Sequence, residues 1–269
     1  MSLRINYLLA FLRHRTLLAQ LVRREVVGRY RGSLLSVFWA FVAPLLMLGV
    51  YTFVFVGVFS MRWPGAESTG GTGFALQLFA GLIVFNFFEE VISRAPSQIL
   101  EQPNLVKRVV FPLELLAHVS LSSALVHLAI SSLILLIGAV FTKGITFSAL
   151  LVPLVLLPLL PMMLGLCWLL SALGVYVRDL GPVISLVVNL LLFVSPIFYN
   201  ADRLPQSIRP WMLFNPLVLP IENLRRCILH GGTDIDWVAW AASLLAGTLI
   251  AWLGAATFER LRHNFSDVI

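Results

Sequence analysis

The chain has 269 residues, of which 59% are hydrophobic and only 12% are charged. A soluble domain carries about 25% charged residues, and a disordered chain is poor in apolar residues, so this composition excludes both classes. Two cysteines argue against a disulfide framework or a metal cluster, and the net charge of +6 comes from basic residues beside apolar segments rather than from a nucleic-acid-binding surface. The sequence therefore predicts an all-α polytopic membrane protein.

Residues 1–33 are predicted to form a cytoplasmic amphipathic region at the membrane interface, held by apolar burial and anionic membrane lipid. One helical face is apolar and the opposite face is polar. The apolar face is formed by Leu17, Leu18, Leu21, Val22 and Val26, and the polar face by Arg13, Gln20, Arg23 and Arg24. Glu25 and Arg29 stand four residues apart, which predicts an ion pair within this helix. A sharper hypothesis is that Arg24, Arg29 and Arg31 bind the phosphates of a lipid-linked substrate.

Residues 34–269 are predicted to form a transmembrane domain of six helices, because about 20 apolar residues of helix cross a bilayer. The predicted spans are 34–59, 74–92, 113–141, 147–177, 182–199 and 237–258. The fourth contains Pro153, Pro158 and Pro161, which predict a kink or an interfacial turn. Residues 200–236 are half apolar and interrupted by prolines, so we expect short re-entrant or interfacial helices there.

The orientation follows from the lysines and arginines that flank the spans. With six spans, 13 of the 19 basic residues fall on the side of the two termini and the other 6 on the opposite side. This distribution predicts that both termini are cytoplasmic and that residues 200–236 face outward.

A catalytic site is not predicted. Adjacent Glu89 and Glu90 point about 100° apart on a helix, and Glu90 is instead expected to pair with Arg94, four residues on. A membrane-embedded enzyme would need a convergent polar site, and its candidates Glu89, Glu90, His118 and His127 are expected to lie far apart. The glycines at 70–73 lack the Lys-Ser/Thr of a P-loop, so any ATPase must be another polypeptide.

Aromatic residues cluster by helical position. Phe41, Tyr51, Phe55 and Phe59 fall within about 80° of one another on the first span. Trp39 lies near the cytoplasmic end of that span, and the fifth span adds Phe193, Phe198 and Tyr199 at its outer end. Two interpretations remain open: these rings face lipid or form interfacial belts, or they line a channel on which sugar rings stack.

Several segments resemble the permease subunits of polysaccharide ABC exporters. They are residues 23–35 (RREVVGRYRGSLL), 38–40 (FWA), 43–45 (APL), 104–112 (NLVKRVVFP), 178–180 (RDL), 195–199 (SPIFY), 215–217 (NPL) and 262–269 (RHNFSDVI). The resemblance implies a homodimer in the bacterial inner membrane with two ATP-binding subunits, which bind the ATP and Mg²⁺, so that this chain holds no cofactor. It also implies export of a lipid-linked polysaccharide such as undecaprenyl-pyrophosphate-linked O-antigen, with teichoic acid and capsule exporters as relatives.

The same resemblance implies a coupling helix at residues 97–107, seated in a cleft of the ATPase. Its candidate contacts are Ser97, Gln98, Glu101, Asn104 and Lys107. Pro96 is expected to begin this helix and Pro103 to end it. An ordinary cytoplasmic turn is the simpler interpretation of the segment.

Two alternative functions remain at this point. The first is an ABC permease of the same fold that exports a small lipid or a drug; long glycans would not stimulate it. The second is an integral-membrane transferase, which would require the convergent polar site described above.

Overall fold

The computed structural model describes residues 10–29, 38–60, 70–106, 111–142, 144, 147–201, 204–207 and 209–268. Within these ranges every regular element is a helix, which confirms the predicted all-α class. The first half contains α1 (Ala10–Arg13), α2 (Arg15–Arg29), α3 (Trp39–Thr52, continued by the π-helical Phe53–Val58), α4 (Gly70–Arg94), α5 (Pro103–Val106) and α6 (Leu115–Thr142). The second half contains α7 (Val152–Leu156), α8 (Leu159–Tyr176), α9 (Leu180–Val194), α10 (Val218–Arg225), α11 (Trp237–Leu261) and α12 (Phe265–Val268).

Five helical segments of the described chain are long and apolar enough to cross a membrane. They are Phe41–Val58, Gly71–Arg94, Leu115–Thr142, Phe147–Tyr176 and Trp237–Asn264. They correspond to the predicted first, second, third, fourth and sixth spans. The fourth span is interrupted, as its prolines predict. A 3-10 turn at Phe147–Leu151 and α7 precede α8, which begins just after Pro158.

The predicted fifth span at 182–199 is wrong in its boundaries. Its helix, α9, has 15 residues and ends at Val194, because Ser195 is extended (φ −75°, ψ 148°) before Pro196. A helix of this length measures about 22 Å, which is less than the roughly 30 Å of a bilayer core. The total of six spans therefore remains a prediction.

The core is built around α4, whose residues from Phe74 to Phe85 are all buried. Helices α6, α8, α9 and α10 pack against it. The tightest pair is α8 with α11, where the backbones touch through glycine. A Cβ on Gly165 would lie 2.5 Å from the Cα of Ala251, and a Cβ on Gly247 would lie 2.8 Å from the carbonyl oxygen of Pro158. Small residues thus allow the close helix packing that is typical of membrane bundles.

Helix α2 lies against α6 with part of its apolar side. Leu17, Leu21 and Val26 are half-buried where α2 packs against α6, whereas Arg23 and Arg24 are exposed. In contrast, the first candidate span contains no buried residue. Its exposed apolar surface needs lipid or another protein chain to cover it.

Residues 200–236 form short helical pieces separated by breaks, as the prolines predict. A 3-10 turn at Arg209–Phe214 is followed by α10, which continues as a π-helical turn at Arg226–His230. Gly231, with φ 65°, ends this turn in the left-handed region that glycine tolerates. Helix α10 packs on α4 inside the bundle. Whether the segment re-enters the membrane remains a prediction.

Candidate functional site

An aromatic cluster joins the first candidate span to the chain after α9. Phe55 stacks on Phe198 at 5.2 Å between ring centroids, and Tyr51 lies 6.1 Å from Phe198. Phe59 is 6.1 Å from Phe55, and Phe193 stacks on Phe198 at 6.1 Å. Five of the eight predicted aromatic residues therefore lie together, although they come from two segments about 140 residues apart in sequence.

One member of this cluster was not among the predicted residues. Phe74, near the start of α4, lies 6.2 Å from Phe55 and is only 2% exposed, so it forms the inner side of the cluster. The signal that could have found it is its position at the start of the second span, where an antiparallel neighbour would meet the end of the first.

The remaining three predicted aromatic residues lie outside this ring cluster. Trp39 and Phe41 stand 10 to 12 residues before Tyr51, which is about 15 to 18 Å along α3. Tyr199 follows Phe198 directly, and its hydroxyl donates a hydrogen bond to the carbonyl oxygen of Val194. Tyr199 thus helps to close the turn that presents Phe198.

Two ion pairs tie α2 to α4. Arg94 donates to Glu25 at 2.7 Å, and Arg29 contacts Glu90 at 2.8 Å. Both predicted i,i+4 pairs, Glu25–Arg29 and Glu90–Arg94, are therefore wrong. The two helices run antiparallel at this point, so each long side chain meets an opposite charge on the other helix instead of one on its own.

His127 on α6 joins the second of these pairs. Its Nδ1 lies 2.9 Å from Glu90 Oε2 and 3.2 Å from Arg29 Nη1. The expectation that Glu90 and His127 lie far apart is wrong, because the third predicted span packs on the second at this level. The residues Glu25, Arg29, Glu90, Arg94 and His127, called here the ion-pair cluster, connect α2, α4 and α6. The described residues contain no group of three metal-ligating side chains.

A cavity of about 670 Å³ opens beside the ion-pair cluster. Its lining is balanced in charge and includes Arg24, Glu25, Arg29, Asn86, Glu89, Glu90, Ser93 and Arg94. Of its three arginines, Arg29 and Arg94 have carboxylate partners, and Arg24 has none within the described chain. The predicted residue Arg31 lies outside the described residues.

We expect single charge reversals in the ion-pair cluster to loosen α2 and a double reversal to restore it. Glu25→Arg places like charges together, and adding Arg94→Glu re-forms the pair with the charges exchanged. Each exposed pair contributes only about 0.2–1 kcal/mol, so we predict an increase of a few-fold in amide exchange over α2, with global folding intact. Hydrogen exchange by mass spectrometry measures it.

Arg23→Glu is the matched control for this pair of variants, since Arg23 is exposed on α2 and makes no ion pair to any residue the structure describes. Equal exchange in the single and double reversals would contradict a specific Glu25–Arg94 contact.

The proposed coupling segment is a series of turns rather than one helix. Hydrogen-bonded turns run through residues 95–102, and Pro103 begins the four-residue α5 instead of ending a helix. The missing N–H of a proline is tolerated at a first helical position, which explains the reversed role of Pro103. The expectation that Pro103 ends a helix is wrong.

The candidate contacts in this segment differ in accessibility. Glu101 and Asn104 are exposed, and the half-buried Ser97 donates a 2.6 Å hydrogen bond to Glu101. Gln98 is only 9% exposed, and its Oε1 accepts a hydrogen bond from the thiol of Cys167. Lys107 lies outside the described residues. Among the described candidate contacts, Glu101 and Asn104 are therefore the exposed ones.

Arg225 binds the segment between α9 and α11 to the core. From sequence alone it was predicted only to be one of the six basic residues that flank the spans on the outer side. It is 1% exposed, and its guanidinium donates to the carbonyl oxygens of Gln77 (3.0 Å), Pro196 (2.7 Å) and Ile197 (3.0 Å). Burial lowers the pKa of Arg225 to about 10, opposed by the carboxylate of Glu222 at 3.1 Å, so the group stays charged at neutral pH. A second hydrogen bond stabilises this segment: the side-chain amide of Asn215 donates to the hydroxyl of Ser195 at 3.0 Å.

The all-helical bundle with five candidate spans among the described residues defines the class of polytopic helical membrane proteins. The sequence profile of the ABC-2 type transporter family matches residues 16–229. The chain therefore belongs to the ABC-2 type transporter family, and the predicted relationship to ABC exporter permeases is confirmed.

The chain is similar over 80–100% of its length to transport proteins from bacteria. It is 29% identical to the O-antigen export system permease protein RfbA of Myxococcus xanthus, over 95% of this chain and 96% of that protein. It is 22% identical to the RfbA protein of Klebsiella pneumoniae over all of both chains. It is 23% identical to the polysialic acid transport protein KpsM of Escherichia coli, over 80% of this chain and 84% of that protein. These relatives are transport permeases, which confirms the prediction that the chain is a permease and not an enzyme.

Proposed function

We propose that this chain is the membrane subunit of an ATP-driven exporter of lipid-linked O-antigen polysaccharide. The observation that carries the proposal is the similarity over 95–100% of the chain to two permeases named for O-antigen export. The similarity to a polysialic acid transport protein covers 80% of the chain and supports a glycan as the cargo. The most specific form of the proposal is undecaprenyl-pyrophosphate-linked O-antigen that crosses the inner membrane, with both termini cytoplasmic.

The aromatic cluster is proposed as the wall of the glycan channel at the axis of a homodimer. Its members Tyr51, Phe59 and Phe193 belong to helices whose apolar surface is largely exposed in the single chain. A second copy against this surface would cover part of it and bring two aromatic clusters together. Sugar rings present apolar faces to aromatic rings, and contacts of this kind are weak enough to release a chain that must slide.

The lipid phosphates are proposed to enter at the cavity beside the ion-pair cluster. Arg24 lines this cavity without a carboxylate partner in the described chain, so it is the side chain best placed to pair with a phosphate. Arg29 would have to leave Glu90 before it could do so. Two ATP-binding subunits would hold ATP and Mg²⁺ and would contact the turn that exposes Glu101 and Asn104.

The experiment that tests this function uses the chain co-purified with its ATP-binding subunit in lipid nanodiscs. The ATPase rate is measured with and without undecaprenyl-pyrophosphate-linked glycan. Stimulation by the glycan supports the proposal. A stable complex that ignores the glycan and responds to a small lipid or a drug contradicts it in favour of the other ABC permease. Failure to retain any ATP-binding subunit contradicts the exporter assignment as a whole.

Phe55→Ala is expected to slow glycan export by about tenfold while the membrane level of the protein is unchanged. Phe55 contacts Tyr51, Phe59, Phe74 and Phe198, so its removal opens the centre of the aromatic cluster. A pair of aromatic rings contributes about 0.5–1.5 kcal/mol, and a sugar–ring contact of similar strength, lost in both copies, gives a change of this size. Export is measured as the appearance of glycan outside the inner membrane.

The matched control is Phe53→Ala, which removes a ring from the opposite face of the same helix. Phe53 is 68% exposed and has no ring contact within the described residues. Normal export by Phe55→Ala, at normal protein levels, would contradict the channel wall; a similar defect in Tyr51→Ala would strengthen it.

A further inference from the structure

Helix α9 presents one amide in the middle of an apolar exposed face. Asn189 is exposed, and its side chain has no hydrogen-bond partner among the residues that the structure describes. Its neighbours on the same side are Leu186, Leu190 and Phe193, which are 61%, 58% and 68% exposed. Apart from the half-buried Ser185, one turn earlier, the surface around this amide is hydrocarbon.

The position of Asn189 excludes lipid as the partner of this face. It is the tenth of the 15 residues of α9, about 14 Å from the first, so it lies within the apolar layer in the proposed arrangement in which α9 is the fifth span. An amide without a hydrogen bond is costly in hydrocarbon, and intramembrane polar residues face the bundle interior or a water-filled path. The face of α9 with Asn189 must therefore meet water, cargo or a second protein chain.

The amide is also continuous with the aromatic cluster. Phe193 stands one helical turn after Asn189, about 40° away on the helix surface. Phe193 stacks on Phe198, and Phe198 stacks on Phe55. An amide that donates and accepts hydrogen bonds, next to apolar rings, offers both kinds of contact that a sugar makes: its hydroxyls bond to the amide and its ring face packs on the aromatics.

We propose that Asn189 contacts the glycan directly, where its amide hydrogen-bonds to sugar hydroxyls as the polymer passes. This inference rests on the proposed function and deepens it, because it adds a polar position to a path otherwise defined by rings. It assigns the part of the exposed α9 face around Asn189 and Phe193 to glycan, and leaves the rest of the exposed apolar surface to the second copy of the chain.

The test is the glycan concentration that gives half-maximal ATPase stimulation in nanodiscs. Asn189→Leu is expected to raise this concentration by about three- to tenfold, the equivalent of one neutral hydrogen bond per copy. Asn189→Gln, which keeps the amide, is expected to recover most of the response. Ser185→Ala, one turn earlier on α9, is the control and is expected to match the wild type.

The possible results distinguish a failure of this inference from a failure of the proposed function. A wild-type complex that ignores glycan overturns the proposed function. A wild-type complex that responds to glycan, with Asn189→Leu responding equally, overturns only the role of Asn189. Spontaneous disulfide-linked dimers of Asn189→Cys, together with a normal glycan response, would overturn it in favour of a contact between the two copies.

Discussion

Gly254→Ala is expected to prevent this protein from accumulating in its folded form, although the change adds a single methyl group. A Cβ at position 254 would overlap the carbonyl oxygen of Gly165 and lie 2.7 Å from its carbonyl carbon. The carbonyl oxygen and carbon are backbone atoms of Gly165 on α8, and the new Cβ would be fixed to the backbone of α11, so neither side can rotate away. The helices would have to separate along their whole contact, which costs about 3 kcal/mol or more. Fluorescence-detected size-exclusion chromatography of the detergent extract measures the loss.

Gly49→Ala on α3 is the matched control, because a Cβ there meets nothing within 4 Å. We expect it to keep the wild-type elution profile. A Gly254→Ala protein that accumulates and elutes like the wild type would contradict the close approach of α8 and α11.

The hydrophobic spans were predictable because hydropathy is a property of each segment by itself. The prolines likewise predicted the interruptions of the fourth span and the broken helices after α9. The end of α9 was not predicted, since apolar residues continue to Tyr199 while the extended backbone at Ser195 ends the helix. Composition shows that a segment is apolar, but it does not show where the backbone hydrogen bonds of the helix end.

Pairing between helices was the part that sequence could not give. Glu25 has a suitable partner four residues away in Arg29, and Glu90 has one in Arg94, yet both carboxylates bond to the other helix. The choice depends on the relative placement of α2 and α4, which local spacing does not contain. The same limit applies to Glu90 and His127, which are 37 residues apart in sequence and 2.9 Å apart in space.

In the candidate site, too, local sequence predicted the positions on one helix and did not predict the contacts between helices. Helical periodicity placed Tyr51, Phe55 and Phe59 on one face, and the structure brings them together. Periodicity could not identify Phe74, which belongs to another helix, nor separate Phe41 from the group by its distance along the axis. Arg225 was the largest omission, because a basic residue near a span end resembles a flanking charge until its burial is known.

Arg225→Ala is expected to destabilise the fold by about 3–5 kcal/mol, the cost of breaking a buried charged network. The change leaves the carbonyl oxygens of Gln77, Pro196 and Ile197 without their donor, in a part of the protein where Arg225 is only 1% exposed. We expect a lower melting temperature and faster amide exchange in residues 195–201 and 218–230. Thermal unfolding in detergent and hydrogen exchange by mass spectrometry measure the two effects.

Arg226→Ala is the neighbouring control, because Arg226 is exposed and, among the described residues, its side chain donates one 3.2 Å hydrogen bond, to the carbonyl oxygen of Asp234. Arg225→Lys keeps the charge but cannot reach all of the acceptors from one ammonium group, so its melting temperature is expected to fall between those of the wild type and Arg225→Ala. Equal stability of the two alanine variants would mean that the buried guanidinium does not hold α10 to α4. The ordering wild type, lysine, alanine would instead show that the turn carrying Phe198, and with it the aromatic cluster, is positioned by a residue on a different helix.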